Sequence, residues 1–133
     1  MAYEISNYAV KITLVAAADL SSNQYNFVKL DSAGKAAAVT ATTDRPIGIL
    51  QNAPTLGQEA EVLVVGGSKL VAGGAIGEGA VIGTSAAGKG SALTIGGTSG
   101  TAFYILGTSL DEVSAANSVS TVVVNCASAA RGF

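Results

Sequence analysis

The sequence predicts an all-β protein: a compact antiparallel β-barrel or sandwich with an extended N-terminal arm and little or no helix. Three observations carry this reading. Short β-branched runs recur between turn residues at intervals of roughly 8 to 12 residues. Seventeen glycines are spread among them. Only Leu110 to Ser118, LDEVSAANS, combines charged helix formers with an absence of glycine, and there Asp111 and Glu112 favour at most a single helical turn within a loop.

Taken in order, residues 1–24 read as an arm. They contain one possible strand and then the polar run SSNQ, with no hairpin signal joining them to the strand-like run at Tyr25. Residues 25–126 form the β body, with strand-length runs YNFVKL, AAAVTAT, IGILQ, AEVLVV, SKLVA, AVIGT, SALTI, AFYILGT and SVSTVVVN. Its turns have specific chemistry. In Asp31-Ser32-Ala33-Gly34-Lys35 the acid can bond the turn backbone and Gly34 supplies a left-handed position. Ser85-Ala86-Ala87-Gly88-Lys89 repeats that turn, which predicts two similar hairpins rather than a solenoid, since only two copies exist. Pro46 after Arg45 forces an extended entry into IGILQ, and Gly48 permits close approach of a neighbouring backbone. Residues 127–133 read as a tail, frayed or docked to a partner.

Composition narrows the function. Hydrophobic residues make up 49% of the 133-residue chain and charged residues 12%, about half the charge of an ordinary soluble domain. Small uncharged residues or partner subunits must cover much of the surface, so oligomerisation is expected. The net charge of −2 and the scattered lysines and arginines offer no footprint for nucleic acid. No run reaches the roughly 18 apolar residues of a membrane span. Ile12 to Leu20 resembles a signal peptide only in its small residues, because Glu4 precedes it and Lys11 abuts the apolar run, so no targeting signal is expected.

The same reading expects no enzyme, no cofactor and no metal site. Histidine is absent, which removes the commonest general base and metal ligand and makes a Ser-His-Asp triad impossible. Gly83 to Lys89 has the glycine and lysine spacing of a phosphate-binding loop, but Gly90 stands where Ser or Thr should hold magnesium, and a strand-like run comes after it. Glu59 and Glu61 share one face of a strand and read as its solvated side. Cys126, the lone cysteine, reads as a small core hydrophobe. A carrier or small-ligand β-barrel is the alternative from another class. Glu59 to Ile82 superficially resembles biotinyl and lipoyl carrier domains, although Lys69 lacks their diagnostic neighbours.

Four segments together resemble a known family. They are YNFVKLDSAGK (Tyr25 to Lys35), DRPIGILQN (Asp44 to Asn52), the run from Gly57 to Lys89, and AFYILGTSLDEVSAANSVSTVVVNC (Ala102 to Cys126). In this combination and order the chain resembles the capsid decoration, or cement, proteins of tailed bacteriophages. The resemblance implies a virion structural protein on the outer surface of the phage head. It would be a symmetric oligomer, a homotrimer, that bridges neighbouring major capsid subunits. Its arm would add a strand to an exposed sheet edge of the capsid protein, through Tyr3, Ile5, Tyr8, Val10, Ile12 and Leu14. The other arrangement open to these residues is an edge strand of the domain itself. A head-fibre base, or a tail or baseplate component, is the alternative within the structural class.

Overall fold

A computed structural model of the chain describes residues 9–96 and 103–132. Its elements are β1 (Val10–Val15), β2 (Phe27–Leu30), β3 (Ala36–Ala38), β4 (Gly48–Leu50), β5 (Glu59–Val71), β6 (Val81–Thr84), β7 (Gly90–Ala92), β8 (Phe103–Ile105), β9 (Gly107–Ser109), β10 (Val119–Asn125) and β11 (Ala130–Gly132). The fold is all-β, and the described residues form no helix. In place of the helical turn expected near Asp111, Val113 forms an antiparallel bridge with Ile76. The main sheet runs β3-β2-β4-β5-β10-β9-β6-β7, with β1 also on β5, while β8 and β11 make a separate small ladder.

The strands repeat one plan twice. In the first unit β1 lies beside the first half of β5, β5 beside β4, β4 beside β2 and β2 beside β3. Ala36, at the head of β3, returns to Ala16 in a parallel bridge that draws the sheet into a curl. In the second unit the second half of β5 lies beside β10, β10 beside β9, β9 beside β6 and β6 beside β7. Gly90, at the head of β7, returns to Ala72 in the same kind of bridge.

The registers agree. Ile12 opposes Val62 as Ser68 opposes Val122; Ile49 opposes Leu63 as Thr108 opposes Val123; Val28 opposes Gly48 as Ile82 opposes Gly107. Loop bonds recur as well. Ala17 N–H donates to Ala36 O at 2.8 Å, as Gly73 N–H does to Gly90 O at 2.8 Å. Leu20 N–H donates to Pro54 O as Ile76 N–H donates to Val113 O.

The two turns singled out from sequence hold matching places. Asp31 Oδ1 accepts from Ala33 N–H at 2.9 Å and Lys35 N–H at 2.8 Å, and Ser85 Oγ accepts from Ala87 N–H at 3.3 Å and Lys89 N–H at 3.1 Å. Gly34 and Gly88 take φ 76 and 79, values an L side chain rarely adopts, which is why glycine stands at both. The recurrence is thus one corner of a duplication that covers most of the chain.

β5 passes from one unit to the other and must bend to do so. Gln51 N–H donates to Glu61 O, yet the Gln51 side chain reaches Ser68 Oγ at 2.9 Å. In a straight strand Glu61 and Ser68 would lie about 23 Å apart. Gly66, at φ 134, sits at the bend.

One buried cluster fills the first unit, with Leu20, Val28, Leu50 and Val62 among its members and Ile12 and Leu14 packed against it. The alternation of β1 puts Ile12 and Leu14 inward and Lys11, Thr13 and Val15 outward, while Val10 is exposed beyond a register shift between Val10 and Lys11. The larger cluster joins the units, setting Phe27, Ile49 and Leu63 of the first against Leu70, Ile76 and Val122 of the second. Complete burial of Phe27 alone contributes on the order of 2–3 kcal/mol.

Candidate functional site

With so few charges, the informative features are apolar side chains left in water. The first set lies on β1. Val10 is 54% exposed and Val15 44%, and the only ladder β1 makes among the described residues is with β5. Val62 and Leu63 pair with β1 on one side and with β4 on the other, so β1 occupies an outer position. Among the described residues its second edge carries no ladder before Ala16 meets Ala36, and an unpaired strand edge is where an added strand can pair. Lys11, bound to Glu61 at 3.1 Å, places a charge on this strand, a usual guard against indiscriminate edge pairing.

Of the residues proposed from sequence for an arm, Val10, Ile12 and Leu14 are therefore brought together on β1, with Ile12 and Leu14 turned partly into the core. Tyr3, Ile5 and Tyr8 lie outside the described residues.

Sequence reasoning missed a second surface. Val81, Thr108 and Val123 form an open face on the second unit and line a groove of about 440 Å³ together with Ile105, Ser128 and Ala130. The signal was present in TVVVN. In a strand with one wet face, Val123 between the inward Val122 and Val124 is the apolar residue that alternation does not require. A smaller cavity, of about 260 Å³, lies at Leu30, Arg45, Pro46 and Cys126.

The residues weighed for chemistry are placed as scaffold. Gly83 to Lys89 is the end of β6 and the turn into β7, so a strand stands where a phosphate site needs a helix N-terminus. Lys69 lies within β5, two residues from its end and paired opposite Thr121, its Nζ 5.6 Å from the centre of the Tyr25 ring; a carrier lysine needs an exposed hairpin turn, so this position does not fit one. Cys126 is buried, and burial pushes its thiol up to about 12. Glu61 is engaged by Lys11 and Glu59 is exposed.

The described residues thus form two curled β units that share one strand, with β1 at an outer position and an open face at Val81, Thr108 and Val123. No protein-family profile matches the chain, and no curated protein sequence matches it. Among solved structures it is similar to the head fiber gp8.5 N base of bacteriophage phi29, with a TM-score of 0.59 and 16% identity over 90% of this chain and 96% of that one. At that identity the likeness is one of fold, extending through both units.

Proposed function

We propose that this chain is a structural component of a tailed-phage virion, carried on the outer surface of the head, where it acts by binding alone and reinforces the capsid lattice by bridging neighbouring capsid subunits. The observation that carries the reading is the shared fold with a phage head-fibre base across nearly the whole of both chains. The low charge and the resemblance of its sequence to capsid decoration proteins support the same placement. Contact with the major capsid protein is assigned to the segment from Tyr3 to Leu14, by strand addition onto or through the outer edge of β1. Many modest contacts repeated over a lattice supply avidity without chemistry, and a homotrimer would match threefold positions on that lattice.

The test is co-sedimentation of the purified protein with expanded heads that lack it. The wild type is expected to pellet with heads. A variant carrying Tyr3→Asp, Ile5→Asp and Tyr8→Asp is expected to stay in the supernatant with an unchanged melting curve. Wild-type protein that never pellets with heads contradicts the reading.

A second reading, the base of a head fibre, is favoured by the identity of the structural neighbour itself. Fibre density rising from the bound protein would distinguish it from a plain cement protein.

A further inference from the structure

The duplication exposes a mismatch that points to a second copy of this chain. Inside the molecule, the first unit presents a face that the second unit covers. Gly88 O, in the turn of the second unit, accepts the Phe27 N–H at 2.6 Å, and Tyr25 O accepts from Val71 N–H at 2.9 Å. Phe27, Ile49 and Leu63 are sealed beneath this contact.

Each partner in that contact has a counterpart in the other unit, and the counterparts are open. Phe27, Ile49 and Leu63 correspond by register to Val81, Thr108 and Val123. Leu63 is 2% exposed and Val123 45%. On the other side, Gly88 is buried with Phe27 O only 2.7 Å from where its Cβ would stand, while its counterpart Gly34 is exposed with nothing within 4 Å. Val71 is half-buried, whereas its counterpart Val15 is 44% exposed. The molecule therefore carries one complete copy of an interface and the two unmatched halves of another, on different units.

We infer that the turn Asp31 to Lys35 of one molecule, with the end of β1 at Val15, docks on the Val81, Thr108 and Val123 face of a second copy and repeats the contact between the units. In that contact Gly34 O takes the Val81 N–H as Gly88 O takes that of Phe27. Val15 N–H reaches Gly79 O, the counterpart of Tyr25 O. The groove beside Val123 is the space the incoming unit enters. Because the contact joins two different surfaces it is heterologous, and it propagates from copy to copy until a ring closes. The inference stands without the capsid reading, since it rests on the repeat alone.

Two variants test it, one on each surface. Gly34→Asn places a side chain that tolerates a left-handed φ into open space in the single molecule, but against the Val81 backbone in the docked pair. Val123→Glu puts a charge on the receiving face at a position already in water. In sedimentation velocity over rising concentration, the wild type is expected to form an oligomer and each variant to remain monomeric with a wild-type circular dichroism spectrum. Mixed, the two are expected to double in mass and go no further, because each retains the surface the other has lost. A monomeric wild type, a Gly34→Asn protein that still assembles, or a mixture of monomeric variants that does not pair would overturn it.

Discussion

Gly48 and Gly107 hold the same place in the two units: a methyl group at either would overlap a main-chain carbonyl, that of Leu63 for Gly48 and that of Val123 for Gly107. Each sits in a short strand pressed onto a long one, β4 on β5 and β9 on β10. The close approach lets the sheet curl tightly enough for Ala16 to meet Ala36 and for Ala72 to meet Gly90.

Gly48→Ala and Gly107→Ala should therefore each destabilise the fold by about 3 kcal/mol or more, since backbone rather than a flexible side chain would have to move. Gly77, with nothing within 4 Å of a built Cβ, is the control, and its alanine variant should change stability by about 0.5 kcal/mol or less. Urea unfolding of the three variants measures this. Equal midpoints would mean that neither close approach shapes the sheet.

Asp44 sets an acid dependence. Its Oδ2 accepts from Lys29 Nζ at 2.8 Å, Thr40 N–H at 2.9 Å and Ala41 N–H at 3.1 Å. The Lys29 bond, ahead of the backbone bonds, holds the carboxyl down at about 2 from an ordinary 3.8. A carboxyl lowered on folding adds stability above its unfolded value, and that stability is lost as pH falls from about 4 toward about 2. Asp44→Asn should lower stability at pH 7 by about 1 kcal/mol and flatten the decline between those pH values. Unfolding midpoints across a pH series test both effects.

The second unit contains a polar network under β10. Ser120 and Ser109 are buried, 3.1 Å apart through their hydroxyls, and Ser120 Oγ donates to Asp111 Oδ1 at 2.8 Å. Thr121 N–H donates to the same Oδ1 at 2.8 Å, as Glu61 N–H donates to Asn52 Oδ1 at 3.0 Å in the first unit. Asp111→Ala should cost about 1–3 kcal/mol by leaving the Ser120 hydroxyl without its acceptor. Asp111→Asn retains Oδ1, as Asn52 does, and should cost much less. Thermal melts of the two variants separate loss of the acceptor from loss of the charge.

Cys126 should be inert in the folded protein. Its N–H donates to Val64 O at 2.9 Å and its thiol is sealed at the junction of the units. A thiol held near 12 supplies almost no thiolate at pH 8, so an aromatic disulfide reagent should release no colour until denaturant is added. Reaction at the rate of a free thiol would place the side chain in solvent.

Much of the fold was legible in the sequence, for reasons that lie in particular residues. The all-β class came from β-branched runs between glycines, and the two hairpin turns from Gly34-Lys35 and Gly88-Lys89, where backbone conformation demands glycine. The duplication was not legible beyond those turns. A few identical residues, such as Gly48 and Gly107, recur too far apart to mark a repeat, and most of the remaining matches are enforced by backbone register, which different side chains satisfy: Ile12 corresponds to Ser68, Ile49 to Thr108 and Asn52 to Asp111. The open face at Val123 escaped for a related reason. A continuous run of valines reads equally as a strand buried on both sides, and only the sheet shows which side is bare.

The most direct measurement of the central claim is a cryo-EM reconstruction of the phage particle with this chain traced into its density. Two-unit density is expected to repeat over the outer surface of the head, at junctions between capsid subunits, with the segment leading into β1 laid along a capsid strand. Density confined to the tail or baseplate, or a particle that does not contain the chain, would contradict the claim.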